Sequence, residues 1–226
     1  MAFNQLPLGI VSSQKITAPS FPDGLVIWNK FENLTSEVGS NFTGTPNSYQ
    51  SAKFNNGVFI NNSANKISAS SVFDTSLAQA FCVEFWYKPN FSSSASTRYP
   101  IISQPDSGLQ LFLFWFEGGN WRAGYRVGET GQQVIASDSF NTNDLIHFGL
   151  VGDNSGIDGS GDKFRLYIDG VDVGSYTNGW TTSSLQTSLT IGSYWDDSFA
   201  GNGLIDNLKV WDYAKTDFSD RNIEGF

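Results

Sequence analysis

From Leu25 onward the sequence is a succession of short apolar, β-branched and aromatic runs, each closed by Gly, Asn, Asp, Ser or Pro. They fall at 25–32, 57–61, 65–70, 80–88, 99–103, 109–117, 120–127, 132–137, 144–152, 163–169, 171–176, 187–193 and 203–212. Runs this short and this evenly spaced mark a sandwich or barrel of antiparallel strands. Several alternate with period two: Phe81, Val83, Phe85 and Tyr87 share one face, and Phe164, Leu166 and Ile168 another. The run from Leu109 to Phe116 is apolar on both faces, which predicts a central strand or one lining a cleft. Asp169-Gly170 joins two alternating runs and predicts a two-residue hairpin, whose type I′ turn needs positive φ at both positions. Helical periodicity is absent apart from residues 214–223, which could form a turn or two.

The composition, 39% hydrophobic with 15% aromatic and 15% charged residues, supplies a core and excludes a disordered chain. At 226 residues the expectation is an all-β, two-sheet antiparallel jelly-roll sandwich over 25–226, preceded by an extended arm over 1–24. The arm is punctuated by Pro7, Pro19 and Pro22 and carries Phe3, Leu6, Leu8, Ile10 and Val11. Those apolar residues need a cover, either the chain's own domain or a neighbouring subunit. A formal charge of −9 argues against nucleic acid, whose phosphates need clustered Lys and Arg. No apolar run approaches the roughly 20 residues that span a bilayer, so membrane insertion is not expected. Cys82 is the only cysteine, which leaves no intrachain disulfide. The opening Met-Ala-Phe-Asn-Gln lacks the basic and then apolar stretch of a signal peptide, so synthesis in a cytoplasm is expected.

Five segments carry a family resemblance. The stretch Gly203-Leu-Ile-Asp-Asn-Leu-Lys-Val-Trp-Asp-Tyr-Ala-Lys-Thr resembles the closing strand of laminin-G-like, concanavalin A-like domains. Leu25-Val-Ile-Trp-Asn-Lys-Phe-Glu resembles their opening strand, and Phe81-Cys-Val-Glu-Phe-Trp-Tyr-Lys-Pro their Val-Glu-Ala-Trp strand. Ile146-His-Phe-Gly-Leu-Val and Lys163-Phe-Arg-Leu-Tyr-Ile-Asp-Gly-Val-Asp-Val-Gly are similar to two further strands, in family order. The resemblance spans about residues 25–215 and implies two antiparallel sheets, one of them concave. It implies no single function, because sugar binders, protein binders, spacers and virion components share the fold.

Catalysis is not expected. Glycosidases on this fold carry a tight Glu-x-Asp-x-x-Glu run, and none of Glu32, Glu37, Glu84, Glu117, Glu129 and Glu224 belongs to one. Glu84 and His147, at the family's strand positions, are expected to be structural hydrogen-bonding groups, and Cys82 a small buried hydrophobe. Asp206, on what reads as one stripe with Leu204, Leu208 and Val210, needs backbone donors or a cation. The resemblance implies that such an aspartate sometimes holds one structural Ca²⁺, with Glu32 or nearby carbonyls as helpers. The acidic loop 152–162 lacks EF-hand spacing and reads as a hairpin insertion. A carbohydrate-binding set is expected from Arg122 and Arg126, on one face of their strand, with Trp180, Tyr194 and Trp195 exposed in loops.

Two roles follow as expectations, with a degenerate glycosidase as a minor third reading. The first is a non-enzymatic structural or surface-display protein of an assembly, such as a bacteriophage decoration, head-fibre or tail component, docked to other virion proteins through the arm. The virion, or a cell surface reached by a non-Sec route, is then its location. The second, compatible with the first, is a carbohydrate-binding module directed at surface glycans, with or without calcium.

Overall fold

The alternating runs fold as strands in a computed structural model that describes residues 21–72, 79–104, 109–127, 130–180, 187–194 and 196–225. In chain order these are β1 (Leu25–Asn29), β2 (Thr43–Gly44), β3 (Ser48–Ser51), β4 (Asn56–Ile60), β5 (Ile67–Ala69), β6 (Ala80–Pro89), β7 (Tyr99–Ser103) and β8 (Leu109–Glu117). They continue as β9 (Asn120–Val127), β10 (Thr130–Ser137), β11 (Ile146–Asp153), β12 (Phe164–Ile168), β13 (Val171–Tyr176), β14 (Leu189–Ile191) and β15 (Gly203–Trp211). One sheet runs β13-β12-β11-β6-β15-β4-β3, with β1 also paired to β15, and the other runs β10-β9-β8-β7-β14-β5-β2. This is the two-sheet antiparallel jelly roll that the strand pattern called for. Residues 1–20 of the expected arm lie outside the described residues.

Alternation decides what the sheets enclose. The inner face of the eight-stranded sheet brings Phe81, Val83, Phe85, Phe148, Leu150, Phe164 and Leu166 against Phe114, Phe116, Trp121, Ala123 and Val134 of the other. Trp121 is fully buried at the centre, with Phe114 stacked at 5.6 Å, Phe140 stacked at 4.9 Å and Phe148 edge-on at 4.7 Å. Each such pair adds about 0.5–1.5 kcal/mol beyond the area it buries, which makes this cluster the anchor between the sheets. The central strand β8 lies between β7 and β9 as expected. Asp169 (φ 51°) and Gly170 (φ 82°) form the expected hairpin turn, and Gly118 (φ 59°) and Gly119 (φ 83°) form a second that links β8 to β9.

The straight alternation assumed for 204–210 is corrected by the structure. The pairing of β15 with β6 shifts register between Asp206 and Lys209, and Asn207 adopts φ 48°. The extra residue is a β-bulge that reverses which side chains face inward. Ile205, Leu208 and Val210 therefore enter the core. Asp206, Lys209 and Trp211, paired with Trp86, Glu84 and Cys82, lie on the outer face instead.

That outer face is covered. Cys82, Val151, Ile157, Tyr167, Trp211 and Phe218 form a second apolar cluster beneath the C-terminal segment 212–225. Phe218 seats on Gly149, where a Cβ would lie 2.4 Å from its Cζ. Trp86 Nε1 donates to the Arg221 carbonyl at 2.9 Å and Lys209 Nζ to that of Gly225 at 3.2 Å. The segment forms turns and bends rather than helix, consistent with its weak periodicity.

Candidate functional site

The carboxylate and imidazole on the covered face are structural. Glu84 is 3% exposed, and its Oε1 accepts from Lys215 Nζ at 2.7 Å and from Trp211 Nε1 at 2.9 Å. His147 Nε2 stands 3.4 Å from Glu84 Oε2. Burial opposes charge on Glu84, but the His147 contact and the Lys215 ammonium outweigh it and hold the carboxyl at about 2. Burial also pushes the Cys82 thiol well above its ordinary range.

Asp206 and Glu32 flank the turn between β3 and β4. Asp206 is fully buried, and its Oδ2 accepts from the Phe54 backbone N–H at 2.8 Å while Oδ1 has no partner among the described residues. Burial, aided by the charges of Glu224 and Glu32, pushes its carboxyl up to about 7. Glu32 spends both oxygens on Asn56, at 3.1 Å to the backbone N–H and 3.2 Å to Nδ2. A calcium ion here would take Asp206 Oδ1. Among the described residues no three His, Cys, Asp or Glu side chains are grouped to hold a metal, so main-chain oxygens or water would have to complete the coordination. The acidic loop is likewise committed internally: Asp162 and Asp158 reach Arg165 at 2.9 and 3.4 Å, and Asp153 bonds to the Ser155 backbone at 2.7 Å.

The open face of the seven-stranded sheet differs in kind. Register places Ile135 opposite Arg122, Arg122 opposite Trp115 and Trp115 opposite Pro100, in one row across β10, β9, β8 and β7. Ile135 is 50% exposed and Trp115 is half-buried. Two residues along β8, Glu117 Oε1 accepts from Arg98 Nε at 3.0 Å and Nη2 at 2.7 Å, and Oε2 from Trp115 Nε1 at 3.2 Å. Burial opposes its charge, but the Arg98 and Trp115 hydrogen bonds win and hold the Glu117 carboxyl below its ordinary value. The Arg98 guanidinium lies 5.1 Å from the Phe199 ring centroid and 5.7 Å from that of Tyr194. Phe199 is 37% exposed. Beside these rings opens a depression of about 490 Å³ lined by Asn61, Thr97, Arg98, Ser198, Phe199 and Asn202.

Of the five residues expected to bind sugar, the structure links two. Tyr194 and Arg122 stand at opposite ends of the chain Tyr194–Arg98–Glu117–Arg122, the last step being 3.8 Å. The expected exposure of Trp180 is corrected: it is 6% exposed, tilted against Phe81 at 5.7 Å and Tyr125 at 6.0 Å, and belongs to the core. Tyr125 Oη donates to the Gly179 carbonyl at 2.8 Å and Asn154 Nδ2 to that of Trp180 at 2.8 Å, which hold the residue there. Trp195 and the Arg126 side chain lie outside the described residues. Sequence reasoning missed Arg98, Trp115, Glu117 and Phe199. The readable signal was Gly118-Gly119, since a two-residue hairpin there forces Trp115 opposite Arg122.

The profile of the laminin-G-like, concanavalin A-like lectin/glucanases superfamily matches residues 59–218. The chain belongs to this superfamily. Among solved structures, this lectin-like chain is similar to the botulinum neurotoxin type G receptor-binding domain, with TM-score 0.65, 14% identity, and 88% of this chain and 51% of that one covered. It is similar also to the binding domain of botulinum neurotoxin DC in complex with SialylT (TM-score 0.65, 13% identity, 89% and 50% covered). The DC binding domain in complex with rat synaptotagmin II gives TM-score 0.68 at 13% identity, with 90% and 51% covered. The lectin-like chain thus spans about half the length of these structures, and at such identities the likeness is one of fold. No curated protein matches the sequence.

Proposed function

We propose that this chain is a non-enzymatic carbohydrate-binding module, carried by a larger assembly, whose binding surface is the Arg98–Glu117–Arg122 face and the adjoining depression. The observation that carries the reading is the Arg98 guanidinium held over two rings, Tyr194 and Phe199, at the mouth of a depression lined with Asn, Ser and Thr. Aromatic faces take the C–H faces of sugar rings, while amides, hydroxyls and guanidinium groups take their hydroxyls. A side chain fixed by two hydrogen bonds to a half-buried carboxylate is also pre-organised, which reduces the cost of ordering on binding. The solved neighbours are receptor-binding domains, one complexed with SialylT and one from a toxin described as entering cells through two ganglioside molecules. Those ligands belong to those proteins, and they support the reading by analogy of fold.

The assembly part of the reading, a virion decoration, head-fibre or tail component, rests on the proline-punctuated apolar arm over 1–24. Deleting that arm is expected to abolish incorporation into the assembly and leave glycan binding intact. A structural calcium ion at Asp206 stays a proposal, tested by the melting temperature with Ca²⁺ and with chelator. The function itself is tested on a glycan array, with bound glycans recovered and weighed. Binding of intact glycans that is lost in Phe199→Ala is expected; silence across the array, or shortened glycans, would refute it.

A further inference from the structure

Two guanidinium groups face one carboxylate on the outer surface of the seven-stranded sheet, and the carboxylate is already taken. Both of Glu117's oxygens are engaged by Arg98 and Trp115. Arg122 Nε stands 3.8 Å from Glu117 Oε2, too far for a hydrogen bond, and among the described residues it is a buried donor without a partner. Among the described residues Arg122 Nη1 reaches Gln133 Oε1 alone, at 3.5 Å. One positive charge is therefore left over at this point of a chain whose formal charge is −9. The Arg122 side chain is 24% exposed while its Nε is covered beside Glu117, so an incoming anion meets the guanidinium at its Nη nitrogens. The guanidinium fork matches a planar carboxylate or a sulfate edge better than it matches a hydroxyl.

The flanks of Arg122 suit a ring. Ile135 and Trp115 occupy the neighbouring strands at the same register, so the row spans about 10 Å across three strands, roughly one or two sugar units. We propose that Arg122 anchors the anionic group of an acidic saccharide, with its ring lying along the Ile135–Arg122–Trp115 row. This rests on the carbohydrate-binding reading and names the class of sugar.

The test titrates the whole chain and its Arg122→Gln variant with matched pairs: 3′-sialyllactose against lactose, and a sulfated against an unsulfated oligosaccharide. The two pairs separate a carboxylate from a sulfate as the anchored group. The acidic member of at least one pair is expected to bind about ten-fold tighter than its neutral partner. Arg122→Gln is expected to bring the acidic and neutral members of each pair to equal affinity while leaving the melting temperature in place. Glu117→Gln, which frees Arg98 and adds to the surplus charge, is expected to strengthen acidic binding. Equal affinity for acidic and neutral members in wild type, or a preference that survives Arg122→Gln, overturns the proposal while leaving the carbohydrate reading standing. No binding by any saccharide, with capture of a polyglutamate peptide instead, overturns both and assigns the charge to an acidic protein partner.

Discussion

Lys215→Met is expected to destabilise the fold by about 3–5 kcal/mol, because it leaves Glu84 charged and buried without its ammonium partner. The loss spreads along the C-terminal segment, since the same ammonium holds Asp220 at 3.0 Å and lies 5.4 Å from the Phe218 ring. The double variant Glu84→Gln/Lys215→Met should recover most of the stability, because no buried uncompensated charge then remains and Asp220 is open to solvent. Acid titration gives an independent reading. Glu84 is held at about 2 against an ordinary 4.5, so its ionisation contributes about 3 kcal/mol that is fully present above pH ~4.5. That contribution is lost as pH falls through about 2 in wild type, and this part of the profile flattens in Lys215→Met. Urea denaturation between these pH values measures it. A single variant as stable as wild type would show that the pair does not hold the segment.

Asp206→Asn is expected to stabilise the protein at neutral and higher pH, by up to about 4 kcal/mol at pH 8. The buried carboxyl titrates at about 7 in the fold against an ordinary 3.8, so the native state binds the proton more tightly than the unfolded chain. Wild-type stability from this group is complete below pH ~3.8 and declines as pH rises through about 7. Asn keeps the acceptor for the Phe54 N–H and carries no charge, so its advantage over wild type widens across that interval. Thermal melts of both proteins from pH 4 to 8 measure the difference. If calcium satisfied Oδ1 instead, Ca²⁺ would raise the melting temperature of wild type alone, and the variant would be the less stable protein in calcium.

The sequence reading and the structure agree where one residue's neighbours suffice. Phe81, Val83 and Phe85 alternate because one face of β6 meets the core, and Asp169-Gly170 can hardly be other than a tight turn. The edge strands β2 and β3 escaped notice because Thr43, Gly44, Tyr49, Gln50 and Ser51 are exposed and leave no apolar period. The bulge at Asn207 was hidden because an inserted residue changes which side chains face inward without changing composition. Trp180 was misplaced because its burial comes from a loop folding back on Phe81 and Tyr125, a long-range contact that loop chemistry does not reveal. The site suffered most. Arg98, Glu117 and Phe199 come from three separate segments and meet only once the sheet register is set. Tyr194 and Arg122 were legible as an aromatic in a loop and a cation on an open strand face. The ion-pair chain that joins them was not.

The central claim, that the Arg98–Glu117–Arg122 face and its depression form the recognition surface, is tested most directly by two-dimensional amide NMR of the labelled protein titrated with an array hit. The expected result is saturable shifts of the Trp115 indole N–H, of the Arg98 and Arg122 guanidinium signals and of the amides around Tyr194 and Phe199, with the Trp180 and Trp211 indoles unmoved. Shifts confined to the C-terminal segment or to the acidic loop 152–162, with the Trp115 and Arg98 signals silent, would contradict the account.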